Sequence, residues 1–474
     1  MSDSLYWFDY ETFGTSPAWD RPVQFAGRRT DLNLEPIGKP IEIYCQQSVD
    51  YLPNPIAALV TGITPQLANE KGVPEYQFIE KILSEIGADG TCSVGYNNVR
   101  FDDEFTRFTA FRNFYDAYEH EWKSNNSRWD LLDVVRLTRA LRPDGIEWPI
   151  DENGKAVNKL ELITTANGLT HSQAHDAMSD VDATIDVARL IKRTQPKLYD
   201  YAFNHRDKHS LAQILNVATR NPCVQISGMI PSEHGHAAIV IPVARHPVNP
   251  NGVIVLDCRS DPAALTQLSE DEIVQRVFTR DATLKAERLN LRVIHINKCP
   301  VVVPLSTMRE QDAERLGIDL PKQLQRVKQF EALYNNELSE KVRRAMTRTF
   351  DYTCNDVDGS LYGGKFFSRD DKQRFEHIRA AAGEGLSKHI GHFDDPRLDE
   401  MLFRYKARNY PQLLSNEESI RWNEFCGSRL NNIDAQWLDL DSFDQLMKET
   451  DWSNNTPLQK ALNEYAGQLR ARFS

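Results

Sequence analysis

Leu5-Tyr6-Trp7-Phe8-Asp9-Tyr10-Glu11-Thr12 is the stretch from which the first third of the chain can be read. Leu5 to Phe8 is a short apolar and aromatic run, the pattern of a buried β-strand, and two carboxylates stand at its end. In an extended chain, residues i and i+2 face the same side about 6.6 Å apart, so Asp9 and Glu11 offer two carboxylates to one spot. Hard divalent cations prefer such oxygen donors. The spacing alone is weak evidence in a chain with 68 acidic residues, and Asp312-Ala-Glu314 repeats it in a helical pattern.

Outward from this strand, Val23 to Thr30 and Pro40 to Cys45 read as a meander, and Thr64-Pro65 as a helix start. Phe78, Ile79, Ile82, Leu83 and Ile86 have helical spacing. Thr91 to Tyr96 predicts the next strand. Helices are expected from Asp103, from Asp130 to Leu141 before Arg142-Pro143, and from Ala177 to Thr194 before Pro196. This alternation predicts an α/β layer architecture. Between about 220 and 305 the texture changes to β-branched runs, Cys223 to Ile230, Ala237 to Val243, Gly252 to Asp257, Leu291 to Ile296 and Val301 to Val303. They predict a small β-rich domain, for which a barrel is one form. After Lys322 the patterns are helical. The expected domains are therefore 1–195, 196–350 and 351–474.

With 474 residues, 41% hydrophobic and 26% charged, the composition excludes a disordered or fibrous chain. The longest apolar runs, Ala237 to Ala244 and Pro300 to Leu305, have strand length, which predicts no membrane span. The acidic N-terminus lacks signal-peptide character, and seven scattered cysteines without a C-x-x-C read as reduced thiols. A cytoplasmic protein is expected. The net charge of -12 is uneven: -13 over residues 1–190, +6 over 191–350 and -5 thereafter. A basic middle segment is either a solvated face or a surface for an anionic partner.

Two further elements carry carboxylates. In Gly95-Tyr-Asn-Asn-Val-Arg-Phe-Asp-Asp-Glu104, a strand ends in a polar turn and a helix opens with three acids. Helix-dipole complementarity accounts for Asp103 and Glu104 and leaves Asp102 for a metal. In His175-Asp-Ala-Met-Ser-Asp180-Val-Asp182, a histidine precedes a helix and a carboxylate lies one turn inside it. Capping by Asp176 or Asp180 is the plainer explanation of that element alone.

Taken together, Asp9, Glu11, Asp102, His175 and Asp180 resemble the DEDD exonuclease superfamily in its histidine-bearing form. Asp176 stands where the tyrosine-bearing form would place its tyrosine. Asp9-Tyr-Glu-Thr-Phe-Gly14, Gly95-Tyr-Asn-Asn-Val-Arg-Phe-Asp-Asp103, Asn126-Ser-Arg-Trp-Asp-Leu-Leu-Asp133, His295-Ile-Asn-Lys-Cys-Pro300 and Tyr405-Lys-Ala-Arg-Asn-Tyr-Pro411 extend the resemblance over most of the chain, to the bacterial exonuclease I family. It implies a ribonuclease H-like α/β exonuclease domain, a β-rich SH3-like domain and an all-helical C-terminal domain. It further implies 3′→5′ hydrolysis of single-stranded DNA in repair and recombination. Asp9, Glu11, Asp102 and Asp180 would hold two Mg²⁺, Mn²⁺ being an acceptable substitute, with His175 as general base.

For the DNA track, residues 107–136 interleave cations with aromatic residues, the pairing that single strands require. Phe111, Phe114 and Tyr115 have core spacing. Arg107, Tyr118, Trp122 and Arg136 are the expected contacts, joined by Glu11, by Lys298 of the basic domain and by Lys159. At Lys159 the family often has arginine, so a phosphate contact there would be less directional. His234-Gly-His236 and His246 lack the further ligands of a zinc site. The resemblance also implies a monomer that binds the acidic C-terminal tail of single-stranded-DNA-binding protein. Two other readings stay open, an RNA or proofreading exonuclease of the same superfamily and a non-catalytic single-strand-binding scaffold.

Overall fold

The computed structural model describes residues 3–170, 176–347, 354, 356–432 and 436–473. Packing divides the chain into two compact units. Residues 1–127, 171–182 and 351–474 form the first, and residues 128–170 and 183–350 the second.

In the first unit, β1 (Ser4–Thr12), β2 (Pro22–Thr30), β3 (Pro36–Tyr44) and β4 (Thr91–Gly95) lie in the order β3-β2-β1-β4. β1 is antiparallel to β2, with Asp9 opposite Ala26 and Glu11 opposite Gln24, and parallel to β4, with Trp7 opposite Val94. The strand runs through Asp9 and Glu11 rather than stopping before them. The period of two explains why: Tyr6, Phe8 and Tyr10 form a core with Phe78, Ile79, Ile82 and Ile86 of the helix Glu75–Ile86. Trp7, Asp9 and Glu11 therefore share the opposite face. β3 is the edge, and Pro36, Lys39 and Pro40 in its exposed first half discourage pairing with another chain.

The helices after residue 355 belong to the same unit. Phe111 and Phe114 share a core with Phe375, Ile378, Leu398 and Tyr405, and Phe13, Val23 and Tyr51 share one with Leu440, Phe443 and Leu462. Compact packing thus groups the chain differently from the sequential segments 1–195, 196–350 and 351–474. A helical stripe tells that a face is buried and not against what. Charged residues join the same parts: Arg408 binds both Asp50 and Asp358, at 2.7 and 2.6 Å, and Arg404 and Arg429 also reach Asp358.

β5 (Ser127–Asp130) begins where the chain passes into the second unit. There β6 (Cys223–Ile226), β7 (Ala237–Arg245), β8 (Gly252–Asp257), β9 (Leu291–His295) and β10 (Val301–Pro304) form an antiparallel sheet in the order β10-β6-β7-β8-β9. Leu211, Ile230, Val240, Val255 and Ile294 are among its core residues. None of the seven cysteines is in a disulfide. Among the described residues, no helix is long and apolar enough to cross a membrane.

Candidate active site

Asp9 and Glu11 reach the same spot because β1 places them two residues apart on the face opposite the aromatic core. The helix Ala177–Thr194 brings the third acid. Asp176 precedes it and accepts the Ser179 amide at 3.0 Å, so Asp176 is the cap, and Asp180 stands in the first turn. One carboxylate oxygen from each of Asp9, Glu11 and Asp180 lies within 4.8 Å of the other two. Asp182 pairs with Arg28 of β2 at 2.7 Å, which fastens the start of this helix to the strand beside β1.

Asp102 arrives from β4. The chain leaves the strand at Gly95, where a Cβ would stand 2.7 Å from Asn98 Cβ and 3.0 Å from the Phe8 carbonyl, so only glycine fits this close approach. After a left-handed Asn97 (φ 75°) and a short turn, the helix Asp102–Arg112 begins. Its first turn is latched onto β1: Asp102 accepts the Tyr10 amide at 3.2 Å, and the Tyr10 hydroxyl lies 2.9 Å from that of Thr106. The other two acids of this turn have different partners. Asn98 donates to Asp103 at 3.3 Å, and Glu104 pairs with Arg107.

Burial holds the Asp9 carboxyl well above the usual range, and the charges of Asp102, Glu11, Asp180 and Asp176 push it further. Burial, then Asp180, Asp102 and Asp176, push Glu11 up to about 9. Partly and fully buried carboxylates that repel one another in this way are an unfavourable arrangement for the protein alone. A divalent cation among them would attract each carboxylate and offset this repulsion, so the donor set fits hard, oxygen-loving ions.

His175 lies outside the described residues. The remaining predicted contacts are distributed between the units. In the first, Arg107 is buried, its guanidinium bound to Glu121 at 2.6 Å and to Glu104, and it lies over the Tyr118 ring at 5.3 Å. Tyr118 is half-buried, whereas Trp122 is 64% exposed. Phe111 and Phe114 are core residues, as their spacing predicted. In the second unit, Arg136 pairs with Asp133, Lys159 is largely exposed beside Glu161, and Lys298 is exposed in the turn after β9. His234 and His236 bond to the carbonyls of Leu316 and Ile230. Sequence reasoning missed the latches formed by Tyr10, Thr106, Arg28 and Asp182. For Asp182 a signal existed, since two residues after Asp180 on a helix it must face another way.

Comparisons with known proteins match the chain along its length. The exonuclease family model matches residues 6–188, the exonuclease I SH3-like domain residues 206–348 and the exonuclease I C-terminal domain residues 355–469. Exodeoxyribonuclease I of Haemophilus influenzae is 42% identical over 472 residues, 98% of each chain. That of Escherichia coli is 42% identical over 474 residues, 99% of this chain and 98% of the relative. The crystal structure of E. coli exonuclease I in complex with a dA16 oligonucleotide superposes with a TM-score of 0.94 at 41% identity, covering 98% of this chain and all of the other. A zinc-bound E. coli exonuclease I–single-stranded DNA complex gives 0.93 at 41%, covering 99% and 100%. A structure of SSB and exonuclease I with an inhibitor gives 0.90 at 39%, also covering 99% and 100%. With an acid cluster on β1 and matches along its full length, this chain belongs to the exodeoxyribonuclease I family, an enzyme family with an exonuclease domain, an SH3-like domain and a helical C-terminal domain.

Proposed function

We propose that this protein is a Mg²⁺-dependent 3′→5′ exonuclease that degrades single-stranded DNA to nucleoside 5′-monophosphates. The observation that carries the reading is the convergence of Asp9, Glu11 and Asp180 oxygens within 4.8 Å, with Asp102 latched to the same strand. Asp9, Glu11, Asp102 and Asp180 would hold the metal, and Mn²⁺ would substitute. Two such ions, when bound, stabilise the attacking and leaving oxygens of an in-line phosphodiester displacement. The chain's own residues do the rest. β1 and the two helix starts hold the carboxylates in place before substrate arrives, and Tyr10 keeps Asp102 from swinging away. His175, whose imidazole is the side chain suited to proton transfer at neutral pH, takes the proton from the attacking water.

Trp122 suits base stacking, and Lys159, Arg136 and Lys298 suit phosphate contact. Arg107 is better placed to orient Tyr118 and Glu121 than to meet the strand directly. The relatives crystallised with oligonucleotides support single-stranded DNA as substrate. The relative solved with SSB supports that partner. The acidic C-terminal tail of SSB is the segment expected to bind, and the basic middle segment is compatible with that. The enzyme acts as a cytoplasmic monomer in DNA repair, with sequential domains 1–195, 196–350 and 351–474. A substrate panel tests this: 5′-labelled single-stranded DNA, duplex DNA and RNA, each with Mg²⁺ or EDTA. Mg²⁺-dependent shortening from the 3′ end of single-stranded DNA is expected. Preference for RNA would move the substrate, and binding without cleavage would leave a scaffold.

A further inference from the structure

Arg28 stands opposite Trp7 in the β1–β2 ladder, two residues along from the pair of Asp9 and Ala26. Directly opposed residues of an antiparallel pair share a face, so Arg28 leaves the sheet on the carboxylate side, about 6.6 Å along the strand from the level of Asp9. Its guanidinium takes the Asp182 carboxylate as a fork, Nε donating to one oxygen at 2.7 Å and Nη2 to the other at 3.2 Å. Asp180 and Asp182 are two residues apart in the helix Ala177–Thr194, roughly 200° apart around its axis, so their side chains leave it on nearly opposite sides. On one side the helix start is drawn to the sheet by Arg28. On the other it carries a carboxylate that repels Glu11 and Asp9.

We propose that Arg28 and Asp182 are positioning residues for Asp180: their pair holds the helix start against the sheet before a metal arrives, and so raises the affinity of the carboxylate cluster for divalent ions. This rests on the metal-dependent exonuclease reading above. Asp9 and Glu11 cannot retreat from each other, because both are built into β1, whose ladder with β2 runs through them. Asp180 is carried by a separate element, and its repulsion from the cluster is relieved by any movement of the helix start away from the sheet. The fork between Arg28 and Asp182 opposes that movement, and two parallel bonds fix direction as well as distance. A cluster already assembled spares the incoming ion the cost of ordering its ligands.

The test titrates the full-length, metal-free protein with Mn²⁺. Arg28→Met and Asp182→Asn should each weaken Mn²⁺ binding by about 10-fold, the lower end of the effect seen for groups that orient metal ligands. The signs separate positioning from plain charge. By charge alone, deleting a cation near the cluster strengthens Mn²⁺ binding and deleting an anion weakens it, whereas positioning requires both variants to weaken it. Arg28→Lys, which keeps the charge and loses the fork, should fall between wild type and Arg28→Met. Exchanging the charges, Arg28→Asp with Asp182→Arg, should regain most of the loss. Amide hydrogen exchange over residues 177–182 in EDTA should be faster in both single variants, and excess Mn²⁺ should slow it. A wild type that binds Mn²⁺ beside an Arg28→Met that binds it as tightly or more tightly would overturn the proposal and leave the exonuclease reading standing. A wild type that binds no Mn²⁺ would overturn that reading and the proposal with it.

Discussion

Replacing Asp358 with asparagine removes one negative charge from the centre of the first unit and leaves the shape nearly intact. Asp358 is fully buried and accepts from Arg408 at 2.8 and 2.6 Å, from Arg404 at 3.1 Å and from Arg429 at 3.4 Å, with Arg21 at 3.8 Å. Asp50, bound to Arg408 at 2.7 Å, is another anion of the same network, with Asp356 on Arg404 and Glu75 near Arg21. Breaking one partner of a buried pair costs about 3–5 kcal/mol, because the remaining charge stays desolvated without compensation. For a unit of this size, about 2–4 °C of melting temperature accompanies each kcal/mol, so the unit should melt roughly 6–20 °C lower. The assay is thermal and urea unfolding followed by circular dichroism. Glu119→Gln, at the exposed pair with Lys123, serves as the control and should shift stability by less than about 1 kcal/mol. A loss in Asp358→Asn no larger than in this control would refute the reasoning. Acid supplies a second reading of the same variant. Burial alone would raise the Asp50 and Asp358 carboxyls, but Arg408 and its neighbouring arginines outweigh it and hold both well below the usual range. Their contribution to stability is therefore complete above the unfolded carboxylate pKa of about 3.9 and is lost as the pH falls below it. Wild-type stability should drop steeply in that window, and Asp358→Asn should show a shallower fall.

Asp9→Asn should lower the rate by more than about 100-fold, beyond the loss expected for an outer partner of a metal ligand. Its metal-free melting temperature should not fall, since a repelled, partly buried charge is removed, and Mg²⁺ should stabilise only the wild type. Thermal shift with and without Mg²⁺ checks both statements. Trp122→Ala should weaken single-stranded DNA binding by about 5- to 150-fold in fluorescence titrations and change stability by less than about 0.5 kcal/mol. Lys159→Ala, measured by titration at several salt concentrations, should reduce the slope of log affinity against log salt by about 0.7.

The fold was readable in the sequence where local chemistry repeats with the period of the structure. Tyr6, Phe8 and Tyr10 alternate with Trp7, Asp9 and Glu11, and that alternation places both acids on one face. Thr64 caps the helix Pro65–Lys71, and the strand Gly252–Asp257 has the predicted ends. Long-range facts were not readable. Arg107 looks from its neighbours like a free cation on a DNA track, and only the fold brings Glu121 and Tyr362 against it. Likewise, nothing local in Phe443 or Leu462 announces that they pack with Phe13 and Val23. The buried arginine network has the same origin, since its members are scattered from Arg21 to Arg429.

Counting bound Mn²⁺ by electron paramagnetic resonance, in the presence of a non-cleavable single-stranded oligonucleotide, tests whether the carboxylate cluster holds two metal ions. Two ions are expected per wild-type chain and one or none in Asp9→Asn. No specific binding to the wild type, or an equal count in the variant, would contradict it.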